Sequence, residues 1–218
     1  MGKISRPGVR RTFCRKISCS ACCSVMNLYS DKESVSVIPL GLDEIKHYMT
    51  DLLEIEGLIH QRMGPRYSVE QWNEENFCRR LTAKHECSWG ILGSDSNCVR
   101  AFLIGSRPSP DLQHIHRIAT HPDFTRRGYS SMLLEQALTQ WMLHESTRMI
   151  TAIVNVQNLA SIFMFRKSGF EILKGEALNH YLTEKSAVHP SISHDGFEDV
   201  HGIRYVVLFR RKADEFYR

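Results

Sequence analysis

Two histidines two residues apart, His114 and His116, lead into a segment that ends in a basic, glycine-containing turn, Thr125-Arg126-Arg127-Gly128-Tyr129-Ser130-Ser131. In an extended strand, residues i and i+2 point to the same face, which would set the two imidazoles side by side. Imidazole titrates near neutral pH and suits the removal of a proton from a nucleophile. The plainer reading of the same pair is two hydrogen-bonded, partly buried strand histidines. The turn offers different chemistry. Where a strand passes into a helix, the first-turn N–H groups lack partners and carry partial positive charge, so an anion such as a pyrophosphate can settle on them. Arg126 and Arg127 add charge, while Gly128, Ser130 and Ser131 keep the approach open. The turn is not a Walker loop, since Gly-Lys-Ser/Thr is missing, nor does it fit Gly-x-Gly-x-x-Gly.

The apolar pattern predicts the elements that carry these groups. A β-branched run, Val35 to Pro39, reads as a first strand. Leu42, Ile45, Met49, Leu52 and Leu53 recur at helical spacing, with Gly57 and Gly64-Pro65 expected to break the helix. A second helix is predicted from Ser68 as cap through Trp72 and Phe77 to Leu81. Ser88–Leu92 and Val99–Ile104 form a hairpin about the polar turn 93–97, and a loop follows at Pro108 and Pro110. His114–Thr120 alternates as a strand, Gly128–Leu143 has one apolar stripe suited to packing on a sheet, and Met149–Val156 is a buried strand. Asn158–Lys167 is a short helix closed by Gly169, Phe170–Leu173 a short strand, and Ile203–Phe209 a last strand. Residues 174–202 lack periodicity and read as a loop insertion. The order predicts one α/β domain of mixed α+β character: a central twisted mixed sheet with helices on both faces.

At 218 residues and 42% hydrophobic, one such domain is the expected size. Residues 1–30 read as a basic, cysteine-containing, disordered extension and 31–218 as the domain. Six of the 28 basic residues precede Met26 and none of the 24 acidic ones does, which leaves 22 against 24 in the rest. The overall charge of +4 therefore belongs to the tail, and no nucleic-acid partner is expected of the domain. Cys14, Cys19, Cys22 and Cys23 lie in the tail; Cys19 and Cys22 have zinc-like spacing, but no second pair completes four ligands, so no metal is expected. No run is long and apolar enough to cross a membrane, so a cytoplasmic protein without membrane insertion is expected.

The turn and its surroundings resemble motif A of the GNAT superfamily of N-acetyltransferases, Gln/Arg-x-x-Gly-x-Gly/Ala after an apolar strand and a proline. Residues 125–130 fill that window: Gly128 matches the glycine, Ser130 replaces the small residue, and Thr125 departs from Gln/Arg. A second block, Asn158-Leu159-Ala160-Ser161-Ile162-Phe163-Met164-Phe165-Arg166-Lys167-Ser168-Gly169-Phe170, is similar to motif B, Asn-x-x-Ala-x-x-Leu-Tyr-x-Lys-x-Gly-Phe. The resemblance spans about Val35 to Phe209. It implies acetyl-CoA or another acyl-CoA as donor and an amine, on a small molecule or peptide, as acceptor, with a homodimer left open. It also implies that Arg126 and the backbone N–H groups of Arg127, Gly128, Tyr129, Ser130 and Ser131 hold the coenzyme A pyrophosphate. The main chain of Ile118, Ala119 and Thr120 would run beside the pantetheine arm, with Asn158, Ser161 and Phe165 contributing from the second block.

His114 and His116, with the apolar triplet and His121 that follow, resemble the paired histidines of the arylalkylamine (serotonin) N-acetyltransferases, which implies a role as catalytic bases. Phe165 stands where the family usually has the tyrosine that protonates the departing thiolate. Tyr129 and Tyr181 are the alternative proton donors, each also readable as a structural residue. Glu54 and Glu56 could attract a cationic amine, against the plainer reading of a solvated helix face. Two further readings stay open: a transferase with a long-chain acyl donor, and a module that binds acyl-CoA without turning it over.

Overall fold

The structure, a computed structural model, describes residues 34–63, 70–94, 97–184 and 191–212. The cysteine-containing tail lies outside them. Strand β1 (Val35–Pro39) leads into α1 (Leu42–His47) and α2 (Met49–Met63), whose Ile45, Leu52 and Ile55 are fully buried. Gly57 does not break the helix; α2 runs through it, because the apolar face on either side is packed and outweighs glycine's weak helix propensity. The second predicted helix is much shorter: α3 covers only Glu74–Cys78, started by a reciprocal capping box between Asn73 and Asn76. Lys84 ends it: its buried ammonium donates to the carbonyls of Asn76, Phe77 and Arg79 at 2.6, 2.8 and 3.1 Å. Burial lowers its pKa to about 8. The expected cap Ser68 lies outside the described residues.

Next come β2 (Trp89–Gly93), β3 (Val99–Ser109) and β4 (Leu112–Thr120). β3 runs through Pro108, where a loop was expected, and turns tightly into β4. Helix α4 (Tyr129–Met142) connects β4 to β5 (Met149–Asn155), and α5 (Leu159–Lys167) and β6 (Glu171–Ile172) follow. The expected loop over 174–202 is corrected by α6 (Gly175–Glu184) and a hairpin of β7 (Ser191–Ser193) and β8 (Gly196–Glu198). Leu178, Tyr181 and Leu182 form the buried stripe of α6 and pack on Val207 and Phe197. β9 (Arg204–Arg211) closes the order.

Among the described residues the strands make one nine-stranded sheet, β1-β2-β3-β4-β5-β9-β8-β7, with β6 also on β9. Every pairing is antiparallel except β4–β5. Neighbouring residues on each strand serve opposite cores. Ala101 and Leu103 pack with Leu133, Leu134 and Trp141 of α4, whereas Phe102 and Ile104 pack under α1 to α3. Likewise Val206 and Leu208 join the α4 side and Val207 the α6 side. Helices therefore cover both faces, as the alternation predicts.

Two glycines have opposite packing. A Cβ on Gly105 would stand 2.6 Å from both the Cys87 carbonyl oxygen and Trp141 Cζ2, while one on Gly57 would meet nothing nearer than Gln71 Nε2 at 3.7 Å. Gly105→Ala is expected to destabilise the fold by about 1–3 kcal/mol, and Gly57→Ala, inside a helix, to stabilise it by roughly 0.5–1 kcal/mol. Urea titration of both variants checks the pair; equal shifts of the same sign would contradict this packing.

Candidate active site

β4 and β5 pair only from Leu112–Met149 to Ile115–Ala152. Beyond those residues β4 continues to Thr120 and β5 to Asn155 without pairing to each other. The parting opens a cleft of about 720 Å³. Its walls are residues 115–119 of β4 and 152–155 of β5, with Asn158 just before α5, Ser161 and Phe165 of α5, Ile59 and Met63 of α2, and Trp72. Asp199, His201 and Tyr205 line it from the segment that was read as a loop and from β9. The β5-facing edge of β4 is thus open to an extended ligand, because β3 occupies only the other edge.

A bulge lies on β4 at this point. Ile104 pairs with Arg117 but Gly105 pairs with Ile115, so His116 is the extra residue. Ile115 packs on the α4 side, yet Arg117, two residues on, pairs with Glu56 of α2 on the other face. The bulge leaves His114 and His116 together, their rings edge to face with centroids 4.7 Å apart. His116 lines the cleft, and its Nε2 is 2.7 Å from Ser106 Oγ. His114 is only 5% exposed, and its Nδ1 is 2.9 Å from Thr151 Oγ1.

At the far end of β4, Pro122–Phe124 forms a 3-10 turn, and Gly128 is the N-cap of α4 with φ 83°. No side chain caps that end, and nothing lies within 4 Å of where a Gly128 Cβ would be, so the approach to Gly128 is open; the first-turn N–H groups have no partner within the helix. Arg126 also takes a left-handed conformation, φ 62°, uncommon for a side-chain-bearing residue. Arg126, Arg127 and Ser131 are exposed. Thr120 Oγ1 and Ser130 Oγ, 2.7 Å apart, tie this turn to the strand that floors the cleft. These residues fit a diphosphate. Ile118, Ala119 and Thr120 are on the open stretch of β4, Ser161 and Phe165 line the cleft, and Asn158 also caps α5 by accepting from the Ser161 N–H at 3.1 Å.

Tyr129 contributes only its backbone to the turn, since its ring is buried beneath α4. Tyr181 is buried under α6 and does not line the cleft. The phenol that does is Tyr205, half-buried and facing the Asp199 carboxylate; burial, then the charge of Asp199, raises its pKa. Although partial burial opposes it, hydrogen bonds from the N–H groups of Ile203 and His201, at 2.9 and 2.8 Å, hold the Asp199 carboxyl below its usual value. Tyr205 carried no motif and its importance comes only from the β5–β9 pairing that sets it opposite Asn155.

Glu56 is not on a solvated face. It is fully buried, gripped by Nε and Nη2 of Arg117 and by the Trp72 N–H. Glu54 is exposed. Among the described residues no three His, Cys, Asp or Glu cluster to hold a metal, and no helix is long and apolar enough to cross a membrane.

The sequence profile of the Acetyltransferase (GNAT) family matches residues 49–170, more than half of the chain, and the chain belongs to this family. Membership of this acetyltransferase family makes acetyl-CoA or another acyl-CoA its donor substrate. Similar solved structures share the fold at low identity. The ribosomal-protein-S18-alanine N-acetyltransferase of Escherichia coli is 15% identical, with a TM-score of 0.56 over 85% of this chain and 100% of that one. Arabidopsis thaliana Naa50, in complex with the bisubstrate analogue CoA-Ac-MVNAL, is 14% identical, with a TM-score of 0.56 over 81% and 98%. Ard1 of Thermoplasma volcanium is 15% identical, with a TM-score of 0.55 over 81% and 97%. No curated protein matches the chain in sequence.

Removing Arg117 would leave the Glu56 carboxylate buried without a counter-charge. Arg117→Met is expected to cost about 3–5 kcal/mol, and the double variant Glu56→Leu/Arg117→Met clearly less. Denaturant unfolding of both distinguishes this from a dispensable surface pair, for which the single change would be nearly silent.

Proposed function

We propose that this protein is an acyl-CoA-dependent N-acyltransferase that moves an acetyl group onto an amine by direct attack on the thioester. The observation that carries the reading is the parting of β4 from β5, with the His116 imidazole on the cleft wall and the uncapped N-terminus of α4 at the end of the same strand. In this reading the amides of Arg127 to Ser131, helped by Arg126, hold the diphosphate, and the open edge of Ile118 to Thr120 pairs with the pantetheine arm. An amine must lose a proton to become an amide nitrogen, and His116, backed by His114, is assigned as the base that takes it. Phe165 has no proton to give. Coenzyme A thiolate leaves tolerably near neutral pH, so the absent hydroxyl slows the reaction rather than forbidding it.

The acceptor is an amine on a small molecule or a peptide. Two fold neighbours motivate placing peptide N-termini among the compounds tested, one being an N-acetyltransferase of an S18 alanine and the other holding a CoA–peptide analogue. We assign the protein to the cytoplasm and give it no nucleic-acid partner, because residues 26–218 have no basic excess. Phe165 specifically favours a second reading, a module that binds acyl-CoA without turnover.

Thiol release from acetyl-CoA and from a long-chain acyl-CoA, measured over small amines, lysine side chains and peptide N-termini, is expected to find an acceptor. His116→Ala should then lower kcat by roughly 10²-fold or more. Turnover unaffected by that change would remove His116 from the mechanism. Thermal stabilisation by coenzyme A with no turnover on any acceptor would establish the binding module instead.

A further inference from the structure

The helix that the sequence pattern concealed reaches the histidine pair. Thr151, directly across from His114 on β5, is fully buried, and three polar atoms surround its hydroxyl oxygen. These are His114 Nδ1 at 2.9 Å, the Tyr181 phenol oxygen of α6 at 3.2 Å and the Gln113 carbonyl oxygen at 3.4 Å.

A threonine hydroxyl has one proton to give and two lone pairs to offer. The Gln113 carbonyl can only accept, so that contact takes the Thr151 proton. The other two neighbours must then donate: Tyr181 through its O–H and His114 through a protonated Nδ1. No other assignment puts a proton in all three contacts. Tyr181 is suited to its part, since burial, only partly offset by the bond to Thr151, pushes its pKa up to about 12 and it stays protonated at neutral pH. With the proton on Nδ1, neutral His114 bears its basic lone pair on Nε2, the nitrogen away from Thr151. When Nε2 takes a proton, the bond from Nδ1 to Thr151 becomes charge-assisted and nothing has to rotate.

We propose that Thr151 and Tyr181 are positioning residues that hold His114 in its Nδ1–H tautomer, so that the ring packed against His116 keeps Nε2 as the proton-accepting atom. The inference rests on the acyl-transfer reading for its role in catalysis, but the tautomer itself can be read without donor or acceptor.

The test uses the full chain labelled with ¹⁵N-histidine and long-range ¹H–¹⁵N correlation, the His114 signals being assigned by their loss in His114→Gln. Wild type is expected to show the Nδ1–H pattern. Thr151→Val should shift it toward Nε2–H, Thr151→Ser should restore it, and Tyr181→Phe should give an intermediate mixture. If an acceptor is known, Thr151→Val should lower kcat about tenfold or more with KM for acetyl-CoA unchanged. An Nε2–H pattern in wild type overturns the proposal, as does a pattern indifferent to Thr151→Val. Should the valine variant fail to fold, the wild-type and Tyr181→Phe spectra still decide. A correct tautomer in a protein with no transferase activity would sink the function and leave the hydrogen-bond assignment standing.

Discussion

One parallel pair in an otherwise antiparallel sheet governs this molecule. Parallel neighbours cannot be joined by a tight turn, so the chain between β4 and β5 must cross over, and α4 is that crossover. Its N-terminus is therefore delivered to the end of β4, bringing there the first-turn amides that no helix bonds internally. The same two strands part after four paired positions, and the space that backbone pairing would have filled becomes the cleft. The exposed strand-to-helix turn and the cleft are two outcomes of one connection.

The sides of the cleft are secured by buried polar contacts rather than by apolar packing alone. The extra residue at His116 lets Arg117 turn toward α2, where its guanidinium meets a carboxylate with no solvent access. Buried ion pairs add little net stability, yet they tolerate few alternative arrangements of the elements they join. Trp72, whose N–H also binds Glu56 and whose ring meets Phe77 edge to face at 5.3 Å, extends this seam to α3. On the opposite side the Asp199 carboxylate organises the turn into β9 through two backbone N–H groups.

What the sequence made legible was local. The strand-to-helix turn at Gly128, the parity of His114 and His116 and the short helix ending at Lys167 depend on neighbours within a few residues, and each is found where the pattern placed it; Asn158, read as the first helical residue, is the cap one position before it. Helix α6 was hidden because Asn179, His180 and Thr183 dilute the spacing of Leu178, Tyr181 and Leu182, which is apparent once those three are seen to pack together. The burial of Glu56 was illegible for a different reason. Its partner is 61 positions away and faces it only because of a one-residue irregularity in β4, which no local periodicity encodes. Tyr205 likewise enters the site through long-range strand pairing.

The strand shared by the amide nest and the imidazole also sets a length. From Thr120, latched to Ser130, back to His116 is four residues of extended chain, about 13 Å. On the proposed assignment of the turn as phosphate anchor and His116 as base, β4 would work as a molecular ruler: a carrier whose reactive carbonyl hangs much closer to its phosphates, or much farther away, would be anchored and still miss the imidazole. On that assignment, selectivity among activated acids would be partly written into backbone spacing, independent of any side chain that touches the acyl group.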